Sequence, residues 1–243
     1  MTTRGKYVTN HLLRKTAGAL ALGAVCFATL NALAQVSKTI TDDGAVISTT
    51  KPKANSVVPS AHPKTEEALP AGSVVVFSNF GTGDNLYGPS GWTEAGQEAN
   101  DFPIAEAMTF TPAANYALVR IDIAMTYVTG TNGMTLILAE DNSGIPGQPL
   151  FTTKFTNLPD FGSCCTIQTV TLNPQTSPIA LRSGHTYWLY PMPANTTSYL
   201  VWNQDTTNQG GNGAVSRDYG KTWNSAALSP FGAFDIYGMP VGK

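Results

Sequence analysis

Residues 117–128, ALVRIDIAMTYV, alternate along the chain: Val119, Ile121, Ile123 and Met125 fall on one side of an extended backbone, Arg120, Asp122 and Thr126 on the other. This period of two is what a half-buried β-strand requires, because successive side chains of a strand point to opposite faces of its sheet. The same reading places strands at 73–80, 104–111, 118–127, 134–139, 150–155, 166–172, 186–192, 199–202 and 233–237, separated by clusters of Gly, Pro, Asn and Asp. No segment after residue 35 carries a capped helical stripe, although TEAGQEANDFPIAEAM, 93–108, has room for one helical turn. Many short strands at such spacing predict an all-β fold, an antiparallel β-sandwich of jelly-roll-like form, with a closed barrel as the alternative. No period of 20–50 residues repeats, which argues against a propeller or a solenoid.

The N-terminus is of another kind. Arg4, Lys6, Arg14 and Lys15 precede an apolar run at 17–30 that ends in Ala32-Leu33-Ala34. Basic residues, a short apolar stretch and a small-x-small triplet make a secretory signal, residues 1–34, with cleavage expected after Ala34. The run is shorter than the ~20 residues of a comfortable bilayer span, so an uncleaved anchor is the weaker alternative. Val25 stands where a lipobox needs a small residue before Cys26. Residues 35–72 are rich in Thr, Ser, Pro and Lys and are expected to be a disordered linker or pro-region, with room for a short strand at 45–48. Residues 73–243 then form a single β-sandwich domain.

Charge narrows the function classes. Only 12% of residues are charged, against ~25% in an average soluble protein, and the net charge is -2. Lys and Arg form no stripe, so the domain lacks the electrostatic footprint of a nucleic-acid binder. No later run approaches spanning length, so no membrane span is expected once the signal is removed. The expected location is secreted, extracellular or periplasmic, with a Thr-, Asn-, Ser- and Gln-rich surface of the sort that meets polysaccharide.

Reactive side chains are sparse. Of three histidines only His185 lies in the expected domain, and no G-x-S-x-G elbow nominates a serine partner for it. A strand-edge polar residue is the simpler reading. One histidine beside two cysteines is a poor zinc set. Cys164 and Cys165 are candidates for a vicinal disulfide, although ordinary disulfides place Cα atoms about 4.4–6.8 Å apart and trans neighbours sit about 3.8 Å apart. An unpaired buried state and an intermolecular bridge are the alternatives. Glu94, Glu98, Asp101, Glu106, Glu140, Asp141, Asp205 and Asp218 could supply a glycosidase carboxylate pair, but sequence does not say which of them share a cleft. No cofactor is expected, apart from a structural calcium ion for which Asp84, Asn85 and Asp235 are candidate oxygen ligands. Trp92, Tyr219 and Trp223, flanked by polar and glycine residues, are candidate ligand-binding aromatics, while Trp188 and Trp202 read as core. Asn195-Thr196-Thr197 matches a glycosylation acceptor.

The segment LAEDNSGIPGQPLFTTKF, 138–155, looks at first like a metal loop. An EF-hand needs alternating oxygen donors and a glutamate at its twelfth position, and after Asp141 the pattern stops at Gly144. It reads instead as a connection between strands, with Asp141 and Asn142 bonding their own backbone, Gly144 and Gly147 free to take positive φ, and Pro146 fixing the exit.

Taken in order, WTEAGQEANDFPIAEAMTF, VRIDIAM, TLILAEDNSGIPGQPL, LRSGHTYWLYPM, YLVWNQD and AVSRDYGKTW resemble the choice-of-anchor R type of exported bacterial domain over most of 72–238. The resemblance implies a non-catalytic β-sandwich displayed on, or released from, bacterial cells, and it brings no catalytic residues with it. After Gly238 only MPVGK follows, without the sorting anchor such domains commonly precede, so a released protein is expected. The expected function is a secreted non-catalytic module that binds a polysaccharide or cell-surface partner or works in the extracellular matrix. An exported glycoside hydrolase with a carboxylate pair and a purely structural domain are the alternatives.

Overall fold

Alternation and turn chemistry carry the fold. The structure, a computed structural model, describes residues 36–50, 69–82, 85–176 and 178–242. In chain order it contains β1 Val36–Ile40, β2 Val46–Thr50, β3 Val74–Ser78, β4 Ser90–Ala95, α1 Gln97–Asn100, β5 Ala105–Phe110, β6 Tyr116–Ile123, β7 Met125–Thr129 and β8 Gly133–Asp141. There follow β9 Pro146–Thr156, β10 Gln168–Thr171, β11 Ala180–Leu181, β12 Tyr187–Pro193, β13 Tyr199–Asn203, β14 Gly211–Ser216, β15 Asn224–Leu228 and β16 Phe234–Pro240. The single helical turn expected within 93–108 is α1.

Three antiparallel sheets result: β1-β2-β4-β13-β7, β10-β6-β16-β3 with β11 also on β6, and β15-β14-β5-β12-β8-β9. The first two run into one another at Ala124, between β6 and β7. Its N–H donates to the Ala233 carbonyl, its carbonyl accepts from the Asn203 N–H, and Ala233 N–H donates to Asn203. Met125 and Trp202 of the first sheet, Ile123 and Phe234 of the second, and Met108 and Leu189 of the third meet in one buried cluster. Phe234 lies 5.7 Å from Trp202 and 6.4 Å from Phe110, ring centre to ring centre, which ties the sheets together across the core. This is an antiparallel β-sandwich, as the alternation predicts.

One close approach sets a limit on the core. A Cβ at Gly232 would sit 2.4 Å from the Trp202 indole, whose Nε1–H donates to the Ala233 carbonyl. Gly232→Ala should therefore lower stability by about 1–3 kcal/mol, as overpacking of a filled core does. Urea denaturation checks it, and an unchanged midpoint would mean that the indole does not rest on this backbone.

The reading of 35–72 as a linker needs correction for its first part. Residues 36–50 form the β1–β2 hairpin; Ala45 and Val46 are buried, and β2 joins β4 with Ile47 opposite Trp92. A Ser/Thr-rich strand cannot bury enough surface alone, but it can add to an existing sheet edge whose partner supplies the hydrogen bonds and the apolar face. The expected signal segment, residues 1–34, and residues 51–68 lie outside the described residues.

Candidate functional site

The outer face of the six-stranded sheet gathers small residues in a row: Ala105 and Ala107 on β5, Ala139 on β8 and Ala214 on β14. Their shortness leaves room for large side chains to lie over the sheet. Trp188, Tyr190 and Met192 of β12 occupy that room, because they take the opposite phase from Tyr187 and Leu189, which face the core. Tyr219 and Trp223 pack against them from the connection between β14 and β15.

That connection is held by its own side chains. The Asp218 carboxylate accepts the Thr222 N–H at 2.9 Å, the Thr222 hydroxyl at 2.6 Å and the Ser216 hydroxyl at 2.9 Å. The Thr222 bonds hold the Asp218 carboxyl below its usual range. Tyr219 and Gly220 turn the chain at φ of 62° and 74°. The β8–β9 connection is built alike. Both oxygens of Asp141 accept the Gly144 N–H, at 3.1 and 3.2 Å, and Oδ1 also accepts Nε1–H of Trp188 at 2.8 Å. Ser143 and Gly144 have φ of 57° and 89°, whereas Gly147 serves by close approach, since a Cβ there would lie 2.9 Å from that of Asn142. The Ser225 hydroxyl donates to the Gly144 carbonyl and fastens the start of β15, just after the one turn, to the other.

Between the two turns lies a cavity of about 790 Å³, lined by Glu140, Asp141, Gln148, Tyr190, Lys221 and Trp223 among others. Tyr190 and Trp223 meet edge to face at 4.9 Å and 65°, an arrangement aromatic pairs favour, and burial pushes the Tyr190 hydroxyl up. Trp223 is half-buried. A second cavity of about 350 Å³ shares Glu140 and Asp141 and adds Arg182, His185 and Thr186. Its wall is a fixed turn. Arg182 N–H donates to the Tyr187 hydroxyl, Ser183 N–H to Asn115 Oδ1 and Gly184 N–H to the Pro112 carbonyl, with Gly184 at φ 74°. The larger cavity is a trough between the two turns, and it shares Glu140 and Asp141 as lining residues with the smaller one. The trough offers an ammonium donor, carboxylate and amide groups and one aromatic platform, the composition of a polar ligand site.

The candidate aromatics separate. Trp223 lines the trough. Tyr219 sits beside it, half-buried, its hydroxyl accepting the Gln97 N–H at 3.0 Å. Trp92 has to be withdrawn as a ligand contact: it is 2% exposed and donates its indole N–H to the Pro230 carbonyl. Its phase on β4 turns it to the core, which polar sequence neighbours do not reveal. Tyr190, one of the aromatics of the sequence, is not singled out by its neighbours, although its place in the outward phase of YWLYPM is a usable signal. His185 lines the smaller cavity, brought there by the turn ahead of β12.

Among the calcium candidates, Asp84 lies outside the described residues. Asn85 is exposed, its carbonyl accepting the Thr206 hydroxyl at 2.5 Å. Asp235 is buried on β16 and accepts the Tyr237 hydroxyl at 2.8 Å. No group of three His, Cys, Asp or Glu among the described residues is placed to hold a metal ion. Cys164 and Cys165 are joined in a disulfide. It borders a third cavity, of about 210 Å³, with Tyr87 and Asn203. Burial pushes the Tyr87 hydroxyl up to about 12, offset in part by its bond to Thr166.

Two of the candidate carboxylates do meet, but away from solvent. Glu94 of β4 and Glu106 of β5 are both fully buried, and Glu106 N–H donates to the two Glu94 oxygens at 3.3 and 3.2 Å. Both side chains are 0% exposed, so this pair lies between strands and is not presented at the surface.

Comparison with family models, with curated proteins and with solved structures finds no match.

Proposed function

We propose that this chain is a secreted, non-catalytic β-sandwich module that binds polysaccharide in the trough over its six-stranded sheet. The observation that carries the reading is Trp223, half-exposed and braced by Tyr190, in a cavity that also presents Glu140, Gln148 and Lys221. An indole face stacks on the apolar face of a sugar ring while carboxylate and ammonium groups bind its hydroxyls, and two tied turns keep these groups in place before a ligand arrives. The resemblance to choice-of-anchor R domains and the N-terminal signal support export and a role at or near the cell surface.

Affinity electrophoresis against a panel of plant, fungal and bacterial polysaccharides is the direct test. Trp223→Ala should weaken the retarding interaction by about tenfold or more, as loss of a central aromatic anchor does, with an unchanged far-UV spectrum. Retardation by no polymer would leave a purely structural domain. Release of new reducing ends that vanishes in Glu140→Gln or Asp141→Asn would replace the binding reading with a hydrolase.

A further inference from the structure

Resting on that reading, we infer that the Cys164–Cys165 disulfide floors a second sugar site, for a single uncharged ring, on the face of the sandwich opposite the trough, so that one protein joins two polysaccharide chains. The phases of the strands give the placement. Ile123, Met125, Trp202 and Phe234 face the core, and their neighbours Ala124, Thr126, Asn203 and Ala233 take the opposite phase, with the Thr126 hydroxyl donating to Asn203 Oδ1 at 2.7 Å. On that side Ala124 and Ala233 form a separate buried cluster with Tyr87 and Cys165. The trough lies over the outer face of the six-stranded sheet, whose inner face packs on the same core, so the two cavities belong to opposite faces.

The cavity beside the disulfide, about 210 Å³, is lined by Asn85, Tyr87, Pro89, Ser163, Cys164 and Asn203 among others. Among the described residues no charged side chain lines it, so nothing there selects a uronate or an amine. Two adjacent sulfurs closed into one ring are polarisable, carry no strong donor or acceptor and have no side-chain rotation left to lose. They make a platform for the C–H face of a sugar. The walls are set before a ligand arrives: the Tyr87 hydroxyl accepts the Thr166 N–H at 2.9 Å, and Asn203 Nδ2 donates to the Gly88 carbonyl at 3.0 Å. Asn85 is exposed at the rim, where its amide serves ring hydroxyls as both donor and acceptor. The volume falls below the ~300–1,000 Å³ of pockets for drug-sized ligands, which suits one ring rather than a run.

The test uses the full chain, mixed with the soluble polymers of the panel, dextran, galactomannan and mixed-linkage β-glucan included, and follows light scattering beside affinity electrophoresis. With a polymer that retards the protein, scattering should rise about tenfold or more and fall again in excess protein, when each chain is decorated singly. A Cys164→Ala/Cys165→Ala variant should still be retarded but give no rise. Asn85→Ala, which alters only an exposed side chain at the rim, should lower the rise about fivefold with an unchanged far-UV spectrum. Trp223→Ala should lose the rise by removing the other site. Retardation of the wild-type protein without a rise in scattering, or a rise left whole by the double cysteine variant or by Asn85→Ala, would each overturn the inference and leave the trough as the binding site. Retardation by no polymer would overturn the proposed function as well.

Discussion

Heat-induced unfolding should occur about 5–10 °C higher at pH 5 than at pH 8.5, a slope that the Glu94–Glu106 pair imposes. Burial pushes both carboxyls up, and for Glu94 the neighbouring Glu106 charge adds to it. Glu106 is pushed up to about 8, with the Val46 N–H bond, the Glu94 side chain and the Arg217 charge partly offsetting its burial. Glu106 Oε1 accepts the Val46 N–H at 3.1 Å, while Oε2 has no hydrogen-bond partner. The unfolded chain releases these protons near 4.5, the folded one only at higher pH. Between the two values the native state holds more protons, so stability is complete below about 4.5 and is lost as pH rises through about 8. At about 1.4 kcal/mol per unit per proton the window amounts to a few kcal/mol, and a domain of this size shifts about 2–4 °C per kcal/mol. Calorimetric scans of the protein and of a Glu94→Gln/Glu106→Gln double variant check this. A wild-type profile flat over pH 5–8.5, or a double variant that keeps the slope, would remove the pair as its cause. Arg217→Ala, which takes away the nearby positive charge, should steepen it.

Arg120→Met should cost about 3–5 kcal/mol, the largest single effect expected on this fold, because it strands a buried carboxylate. Arg120 and Asp122 are 2% and 0% exposed on β6, with Nε to Oδ1 at 2.7 Å, and Asp122 also accepts the Thr169 hydroxyl at 2.6 Å. Across the ladder Asp122 faces Asp235, and the Arg120 guanidinium lies 5.4 Å from the centre of the Tyr237 ring. Without the cation, two register-paired acids face each other out of water, a repulsive arrangement in any sheet. Urea denaturation at pH 7 measures the loss, and adding Asp122→Asn to Arg120→Met should recover more than half of it. A loss below about 1 kcal/mol would show that the cation is not what keeps these acids buried.

The ion pair marks one boundary of what the sequence could say. The alternation of ALVRIDIAMTYV is a local property and reads correctly as a strand, which β6 and β7 form either side of Ala124. Its polar side is less legible, since Arg120 and Asp122 are sealed rather than half-exposed, and what covers them comes from β10 and β16. Strands β4, β14 and β15 escape a sequence reading for a similar reason. SGWTEA, GNGAVS and NSAAL lack the β-branched apolar runs that mark strands and rely on partners to complete their ladders. In the trough, Trp223 and the two turns were legible, because Asp218 with Gly220 and Asp141 with Gly144 are turn chemistry written in adjacent residues. Tyr190 was not singled out, and its meeting with Trp223 depends on residues some tens of positions apart.

The sequence by itself determined the all-β class, most of the strand centres and the two turns that frame the trough. Each follows from side-chain periodicity or from hydrogen bonds spanning only a few residues. Only the tertiary structure decided that Glu94 meets Glu106, that Trp92 belongs to the core, that residues 36–50 enter a sheet, and that Tyr190 meets Trp223. Those outcomes depend on which strand lies beside which and on the face each presents. Contacts between distant strands set both, and a local pattern of residues does not encode them.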